Sequence, residues 1–447
     1  MTTATAAQRG QSSSYLVLMF VAFFGIFVYG LVTALPGTVL PELERHLFLP
    51  NDAAAGNFLF INAIGAVVAY MVSGPLTDRI GKKFTLLVGS VLVGLSMVGF
   101  ALIVANVQPG SAIILIFVCS LVLGLGANAI VSAGHALVGD LAESGRNAAL
   151  NLLDICFGLG LTVLPLIAVN WLGGASYGSL FWLLAAATLA LLILVLGPRF
   201  PRPSHPESFP LHEAGDLFRD ASFLLLAVAL FMYVGAEVSV GKWVVTFLER
   251  DPQLLSAAGV DPVRLSHLTP AGVTDFFNNN PAGVAVGSFA LKTLSIFGIA
   301  LMVGRLISSF LLGVLKMNSL TLLTCGSLLT TIGLAVTVTA TSPASIRWAV
   351  LAGGIGMGPI FPTSVGLASL IAPRIAGTAM SWVMGIGFAG LLVIPPSVGW
   401  ISKAVGGDAG DVRKGLLAVL AAAVIMLMLH IFLSLRERRR RRMAQAT

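Results

Sequence analysis

Apolar runs long enough to cross a bilayer follow one another along the whole chain and are separated by short polar segments. A helix needs about 20 apolar residues to span the hydrocarbon core. The pattern therefore predicts an all-α integral membrane protein with twelve transmembrane helices. The expected spans cover residues 16–40, 55–77, 84–105, 111–138, 147–171, 177–198, 221–248, 288–315, 319–341, 346–371, 375–403 and 412–435.

A polar, Pro-rich gap divides these spans into six and six. The expected organisation is a disordered cytoplasmic N-terminus (1–15), an N-terminal six-helix bundle (16–198), a cytoplasmic linker (199–220), a C-terminal six-helix bundle (221–435) and a basic cytoplasmic tail (436–447). Residues 249–287 are polar and have no counterpart in the first half. They predict an extracytoplasmic insertion within the second bundle.

An internal repeat relates the two halves of the chain. Five positions of the first half recur, without a gap, 230 residues later; they are Gly124, Gly126, Ala149, Gly160 and Pro165, repeated as Gly354, Gly356, Ala379, Gly390 and Pro395. Both copies lie in apolar sequence. Two pseudo-symmetric bundles related by an axis along the membrane normal are typical of a large class of secondary transporters.

Composition supports a membrane location. Hydrophobic residues make up 57% of the chain, charged residues 10%, and the mean hydropathy is +0.95. The 49 glycines let helix backbones approach closely in lipid. The three cysteines lie in apolar runs and are expected to be packing residues rather than a disulfide framework.

The distribution of Lys and Arg predicts the orientation. We assign 16 of them to the side that carries both termini and 7 to the opposite side. Both termini are therefore expected in the cytoplasm of a multi-pass protein of the plasma (inner) membrane. The net charge of +7 needs no nucleic-acid partner, because the basic tail fits a membrane anchor or a contact with anionic lipid.

The loop between spans two and three carries a motif. Its sequence is Gly74-Pro75-Leu76-Thr77-Asp78-Arg79-Ile80-Gly81-Lys82-Lys83. It resembles the signature loop of the major facilitator superfamily in residue types and in spacing. The resemblance implies a cytoplasmic gate that latches the two halves, formed by Gly74, Asp78, Arg79, Gly81, Lys82 and Lys83. The alternative is a plain loop held inside by its positive charge.

A narrower resemblance involves three further segments. They are Leu40-Pro41, the start of span five from Ala149 to Gly160, and Tyr233 to Trp243 in span seven. These are similar to the fucose/glucose branch of the superfamily, which contains sugar:cation symporters. Fucose permeases have acidic residues where this chain has Gly37 and Ala129. Any ion coupling must therefore use other residues.

Two acidic residues, Asp154 and Glu237, lie well inside spans. A charge at the bilayer centre costs about 2.5–3.5 kcal/mol on insertion scales, so such residues are often functional or paired. Glu237 is a candidate for substrate binding or proton exchange, and the alternative is a structural carboxylate paired with a basic residue. Asp154 follows Asn151 by about one helical turn, so the two share a face. Substrate contact, protonation and a helix–helix hydrogen bond are alternatives for this pair.

Three weaker candidates complete the predicted substrate or coupling site. Arg305 in span eight needs a partner, which is Asp154, Glu237 or the substrate. Trp243 would stack on a sugar ring or anchor the interface, and Asn128 would contact substrate or another helix. His135, near the inner end of span four, is expected to be structural.

Prolines predict hinges in two spans. Phe361-Pro362 and Pro395-Pro396 are expected to interrupt spans ten and eleven. Such breaks are tolerated where helices line a cavity.

The resemblance implies a monomeric secondary transporter that moves a small polar organic solute, most often a monosaccharide, by alternating access with proton or sodium coupling. No phosphate-binding loop or metal-binding Cys/His spacing is present, so neither an enzyme nor a cofactor or metal is expected. Alternatives are an exporter of amphipathic compounds and a nutrient sensor without transport.

Overall fold

The chain is built from membrane-length helices. The computed structural model describes residues 2–142, 146–171, 177–201, 217–372, 376–407 and 410–446. Within these ranges every regular element is helical. Twelve helical segments are long and apolar enough to cross a membrane, which confirms the predicted fold class.

The described residues of the first half form six helices. They are α1 (Thr2–Arg45), α2 (Asp52–Arg79), α3 (Lys82–Asn106), α4 (Pro109–Leu141), α5 (Arg146–Trp171) and α6 (Gly178–Leu196). Disorder is predicted for residues 1–15, whereas α1 begins at Thr2. The predicted linker at 199–220 lies mostly outside the described residues.

The described residues of the second half contain the other membrane helices and four short ones. They are α7 (Ala221–Arg250), α8 (Pro252–Ala257), α9 (Pro262–Ser266), α10 (Pro270–Asn279), α11 (Pro281–Gly313), α12 (Ser319–Thr339), α13 (Pro343–Met357), α14 (Ile360–Ile371), α15 (Ala376–Ala389), α16 (Ile394–Gly406), α17 (Val412–Gly415) and α18 (Leu417–Ala446). A 3₁₀ turn, Gly390–Leu392, lies between α15 and α16. The last helix, α18, extends through most of the predicted basic tail.

The same two-residue pattern, a capping residue followed by proline, starts each helix of the insertion. Each of its helices, and α11 after it, starts with a proline that follows a capping side chain; the pairs are Asp251-Pro252, Asp261-Pro262, Thr269-Pro270 and Asn280-Pro281. The capping oxygens accept hydrogen bonds from the first free backbone N–H groups, and proline needs no such bond. The polar insertion therefore forms short helices.

Both predicted breaks are present, although one is displaced. Span ten is interrupted at Gly358 and Pro359, and Pro362 lies in the first turn of α14. Proline is tolerated there because the first-turn N–H groups have no intrahelical partner. Span eleven is interrupted at Gly390–Leu392, just before Pro395 and Pro396.

The chain divides into two compact units. Unit 1 contains Met1–Pro36, Ile61–Trp171 and Ala175–Glu207, and unit 2 contains Gly37–Phe60 and Ser208–Thr447. The end of α1 and the start of α2 therefore pack with the helices of the second half. The boundary between units does not follow the linker alone.

Within each unit the repeat makes equivalent helix contacts. In unit 1, a Cβ atom on Gly126 of α4 would lie 2.8 Å from the carbonyl oxygen of Gly89 in α3. In unit 2, a Cβ on Gly356 of α13 would lie 2.6 Å from the carbonyl oxygen of Gly326 in α12. Real Cβ atoms do not approach backbone this closely, so both crossings require glycine.

A second pair of repeated glycines behaves in the same way. In unit 1, a Cβ on Gly160 of α5 would lie 2.8 Å from the carbonyl carbon of Gly30 in α1. In unit 2, a Cβ on Gly390 would collide with the Phe231 carbonyl and lie 3.3 Å from the Gly235 nitrogen of α7. The sequence repeat therefore corresponds to repeated helix packing.

We expect Gly126→Ala and Gly356→Ala to lower stability by about 1–3 kcal/mol, because the added methyl group forces two helix backbones apart. Thermal melting followed by size-exclusion chromatography measures this. Gly110→Ala in α4 and Gly366→Ala in α14 are matched controls, since a Cβ meets nothing within 4 Å at either position. Equal stability of all four variants would contradict this account of the packing.

Candidate functional site

The motif loop makes a sharp turn between α2 and α3. Gly81, its pivot, has φ 115° and ψ 156°, a conformation that side chains other than hydrogen rarely adopt. Thr77 at the end of α2 donates a hydrogen bond to Thr85 of α3 across the turn, at 3.1 Å. The loop is therefore short and has one defined shape.

The two lysines of the motif tie this loop to other helices of unit 1. Lys82 is buried and ion-paired with Asp140 near the end of α4. The Lys83 ammonium donates to the carbonyl oxygens of Leu196 at 2.8 Å and Pro198 at 3.0 Å, just at the end of α6. A cation there complements the helix dipole.

The other motif residues are less informative. Arg79 is exposed at the end of α2. Gly74 and Asp78 also belong to α2, but their side chains lie outside the described part of the structure. The role of the whole motif as a gate stays a prediction.

Asn128 takes part in a polar cluster inside unit 1. Its side chain is buried, and its amide donates to the carbonyl oxygen of Gly124 at 2.9 Å. The Tyr29 hydroxyl of α1 donates to the Asn128 amide oxygen at 3.5 Å. Tyr70 of α2 is in turn hydrogen-bonded to Tyr29. Three helices thus contribute hydroxyl and amide groups to one place.

Asp154 of α5 lies in the same cluster. It interacts electrostatically with Tyr70, and its Oδ1 lies 3.4 Å from Nε2 of His135 in α4. The Asp154 and His135 side chains are 22% and 38% exposed. The side chain of Asn151 lies outside the described residues. The polar cluster, meaning Tyr29, Tyr70, Asn128, His135 and Asp154, therefore joins four helices and includes a histidine that the sequence suggested was structural.

The remaining predicted site residues lie in unit 2. Glu237 is half-buried in the middle of α7, and Arg305 is half-buried in α11, which packs against α7. Trp243 is fully buried, and its indole N–H donates to the carbonyl oxygen of Pro395 at 2.9 Å. Trp243 thus ties α7 to the broken span eleven. Its burial favours this packing role over interfacial anchoring or stacking on a substrate.

Unit 2 also contains a network of ion pairs that is not among the predicted site residues. Nη2 of Arg45, at the end of α1, lies 3.0 Å from Glu42 and 3.0 Å from Glu249 of α7. The Arg45 guanidinium lies 4.3 Å from the ring centre of Phe277 in the insertion. His46, beside Glu42, has its pKa lowered by burial, so it stays neutral near pH 7. His46 therefore adds no charge to this network near pH 7.

A second arginine continues the network. Nη1 of Arg250 lies 2.7 Å from Glu44 of α1 and 2.5 Å from Asp52 at the start of α2. Asp52 is fully buried and also accepts a hydrogen bond from Ser402 of α16. Arg250 thus binds the two helix ends of residues 37–60 to α7.

The third arginine binds the insertion. Arg413 of α17 forms a two-point ion pair with Asp251, at 2.7 and 3.0 Å. It also donates to the carbonyl oxygens of Val338 and Ala340, at 3.0 and 2.9 Å, at the end of α12. Asp251 in turn caps α8 through the backbone N–H of Gln253. Arg413 therefore attaches the start of the insertion to α17 and to the end of α12.

A sequence signal for this network existed. The predicted outer ends of spans one and seven each combine acidic residues with an arginine, as Glu42-Leu43-Glu44-Arg45 and Glu249-Arg250-Asp251. Such mixed clusters at one predicted side of the membrane suggest mutual pairing. A count of basic residues for orientation does not detect such mixed clusters, because it ignores the acidic residues beside them.

Twelve apolar helices with a repeated packing pattern define a multi-pass membrane protein of the secondary-transporter class. Residues 22–259 match the family model of the Major Facilitator Superfamily, and the chain belongs to this family. It is a transporter and not an enzyme. This match confirms the resemblance to the major facilitator superfamily that the motif loop shows in the sequence.

Curated relatives are distant. Bypass of stop codon protein 6 of Saccharomyces cerevisiae is 24% identical over 319 residues, covering 63% of this chain. The chain spans 62% of that relative, which is less than two thirds of its length. Protein TsgA of Salmonella typhimurium is 25% identical over 290 residues, covering 63% of this chain and 67% of the relative.

Solved structures share the fold over nearly the whole chain. A D-xylose-proton symporter superposes with a TM-score of 0.70 at 15% identity, covering 94% of this chain and 97% of its own. The nucleoside transporter NupG gives 0.69 at 13%, covering 94% and 99%. The E. coli fucose:proton symporter FucP gives 0.60 at 16%, also covering 94% and 99%.

We expect Arg250→Gln to destabilise the protein by on the order of 3 kcal/mol, because it leaves the Glu44 and Asp52 carboxylates buried without their cation. Thermal melting of the purified protein measures this loss. Combining Arg250→Gln with Glu44→Gln should restore part of it. Arg264→Gln, at an exposed arginine of the insertion, is the control. A melting temperature of Arg250→Gln equal to that of the control would contradict the role of the network.

Proposed function

We propose that this protein imports a monosaccharide together with a cation by alternating access, with both termini in the cytoplasm and a monomer as the working unit. The polar cluster of unit 1 is the observation that carries this proposal. Hydroxyl, amide and carboxylate groups from four helices meet there in an otherwise apolar chain. These groups are the hydrogen-bonding partners that a sugar's hydroxyl groups require.

The structural relatives support the same substrate class. Two of them are named as symporters of the sugars D-xylose and fucose with protons, and they share the fold over 94% of this chain. The nucleoside transporter supports a second candidate substrate, because a nucleoside carries a sugar ring with free hydroxyl groups. We favour free monosaccharides, since the sequence resemblance to the fucose/glucose branch points to them independently.

Glu237 is the proposed substrate residue of unit 2. It is half-buried in the middle of a long apolar helix, α7, and acidic residues inside membrane spans often mark substrate or proton pathways. A carboxylate accepts strong hydrogen bonds from sugar hydroxyl groups. Arg305 on the neighbouring helix is a further candidate for positioning the substrate or Glu237.

The ion pairs of Arg45 and Arg250 are the contacts that we expect to break during the transport cycle. Arg45 and Arg250 hold the ends of α1 and α2 to α7, at the side that the basic-residue distribution assigns to the outside. An alternating-access cycle that opens to this side requires these pairs to separate. The lysines of the motif loop, which bind the ends of α4 and α6, lie at the opposite predicted side.

The proposal is tested by uptake of labelled D-xylose, L-fucose and D-glucose into proteoliposomes under imposed proton or sodium gradients. We expect gradient-driven accumulation of at least one sugar. Glu237→Gln should lower uptake by roughly tenfold or more, because a hydrogen bond to a charged group contributes about 1.5–3 kcal/mol. Asp275→Asn, at an exposed carboxylate of the insertion, is the control.

The alternatives predict other outcomes of the same experiment. Uptake of nucleosides but of none of the sugars would make nucleosides the substrate class instead of monosaccharides. Extrusion of a fluorescent cationic dye without sugar flux would favour an exporter of amphipathic compounds. Folded protein that moves none of these solutes would contradict transport of the proposed class.

A further inference from the structure

The hydrogen bonds of His135 determine which of its ring nitrogens carries a hydrogen. Nδ1 lies 2.9 Å from the backbone carbonyl oxygen of Val131, one turn earlier in α4. A carbonyl oxygen only accepts hydrogen bonds, so Nδ1 must be the donor. In a neutral imidazole, Nε2 then has no hydrogen and presents a lone pair.

The second nitrogen faces a carboxylate. Nε2 lies 3.4 Å from Oδ1 of Asp154. An ionised carboxylate also only accepts, so a neutral His135 and an ionised Asp154 would oppose two lone pairs. The contact becomes favourable when one proton lies on the pair, either on Nε2 or on the carboxyl group. The observed geometry is that of a site that holds one exchangeable proton.

The surroundings of the pair suit reversible proton binding. Both side chains are partly exposed rather than sealed inside the packed helices. Among the groups that the structure describes, Tyr70 of α2 interacts electrostatically with Asp154 and is hydrogen-bonded to Tyr29 of α1. Asp140, further along α4, is already paired with Lys82. The pair also lies at one end of the polar cluster, next to the groups proposed to bind substrate.

We propose that His135 and Asp154 together bind the coupling proton, which makes the protein a proton symporter rather than a sodium symporter. This inference rests on the proposed cation-coupled uptake. An imidazole nitrogen beside a single carboxylate is a poor site for a hard cation, which prefers several oxygen ligands. A proton on the pair reduces the negative charge that Asp154 presents to Tyr70, and so changes which hydrogen bonds Tyr70 and the rest of the polar cluster make.

Proton binding is measured first, without any substrate. The full-length protein, reconstituted in lipid and carrying isotope-labelled histidine, is titrated by NMR between about pH 5 and pH 8. We expect an Nε2 signal that titrates and is missing from His135→Gln. Its midpoint should move by about one pH unit or more in Asp154→Asn, because the pair titrates as a unit. His267→Gln, at an exposed histidine of the insertion, should leave it unchanged.

Transport is measured second, with D-xylose and L-fucose as probes. A pH gradient should drive accumulation by the wild type and by His267→Gln, and His135→Gln should reduce this accumulation at least tenfold. Accumulation driven by a sodium gradient alone would overturn the proposal. So would a His135 signal that does not titrate, or that titrates identically in Asp154→Asn. A titrating pair in a protein that moves no sugar would support the proton site and overturn the proposed substrate class.

Discussion

Polar side chains in this apolar chain depend on partners inside the protein, because lipid offers neither hydrogen-bond donors nor acceptors. The buried Lys82 is paired with Asp140, and the buried Asp52 is paired with Arg250. Each such pair fixes one helix end against another. The same requirement makes the His135–Asp154 contact informative, since its two groups are compatible only when a proton lies between them. The need to pair polar groups therefore determines both how the helix ends pack and how the proposed site binds a proton.

Close helix approach is the second determinant of the architecture. Glycines at repeated positions remove the side chains that would separate α3 from α4 and α12 from α13. These contacts are close approaches of helix backbones, whereas the arginine network of unit 2 is ionic. In the proposed transport cycle, the glycine crossings stay intact and the ion pairs separate.

The sequence predicts well whatever depends on local pattern. Span number follows from the length of the apolar runs, and the sharp turn at Gly81 follows from a glycine before two lysines. Break positions were less accurate, because Pro362 is accommodated in the first turn of α14 and the interruption falls at Gly358 and Pro359. A proline indicates a helix start nearby, but the break itself depends on the residues before it.

Contacts between distant helices could not be predicted. His135 and Asp154 are on different helices, and only the packing of α4 against α5 brings them together. The sequence suggests that Trp243 stacks on a sugar or anchors the interface. In the structure its indole N–H donates a hydrogen bond to the carbonyl oxygen of Pro395, which is far away in the sequence. The arginine network likewise joins residues about 200 positions apart. Such pairings depend on helix rotation and register, which periodicity alone leaves undetermined.

The central claim is that sugar and proton move together through one protein. Its most direct test is the internal pH of proteoliposomes, followed with a trapped dye, when D-xylose or L-fucose is added outside without any ion gradient. The account predicts that sugar entry acidifies the interior and that His135→Gln abolishes this acidification. Sugar entry with no change of internal pH would contradict it.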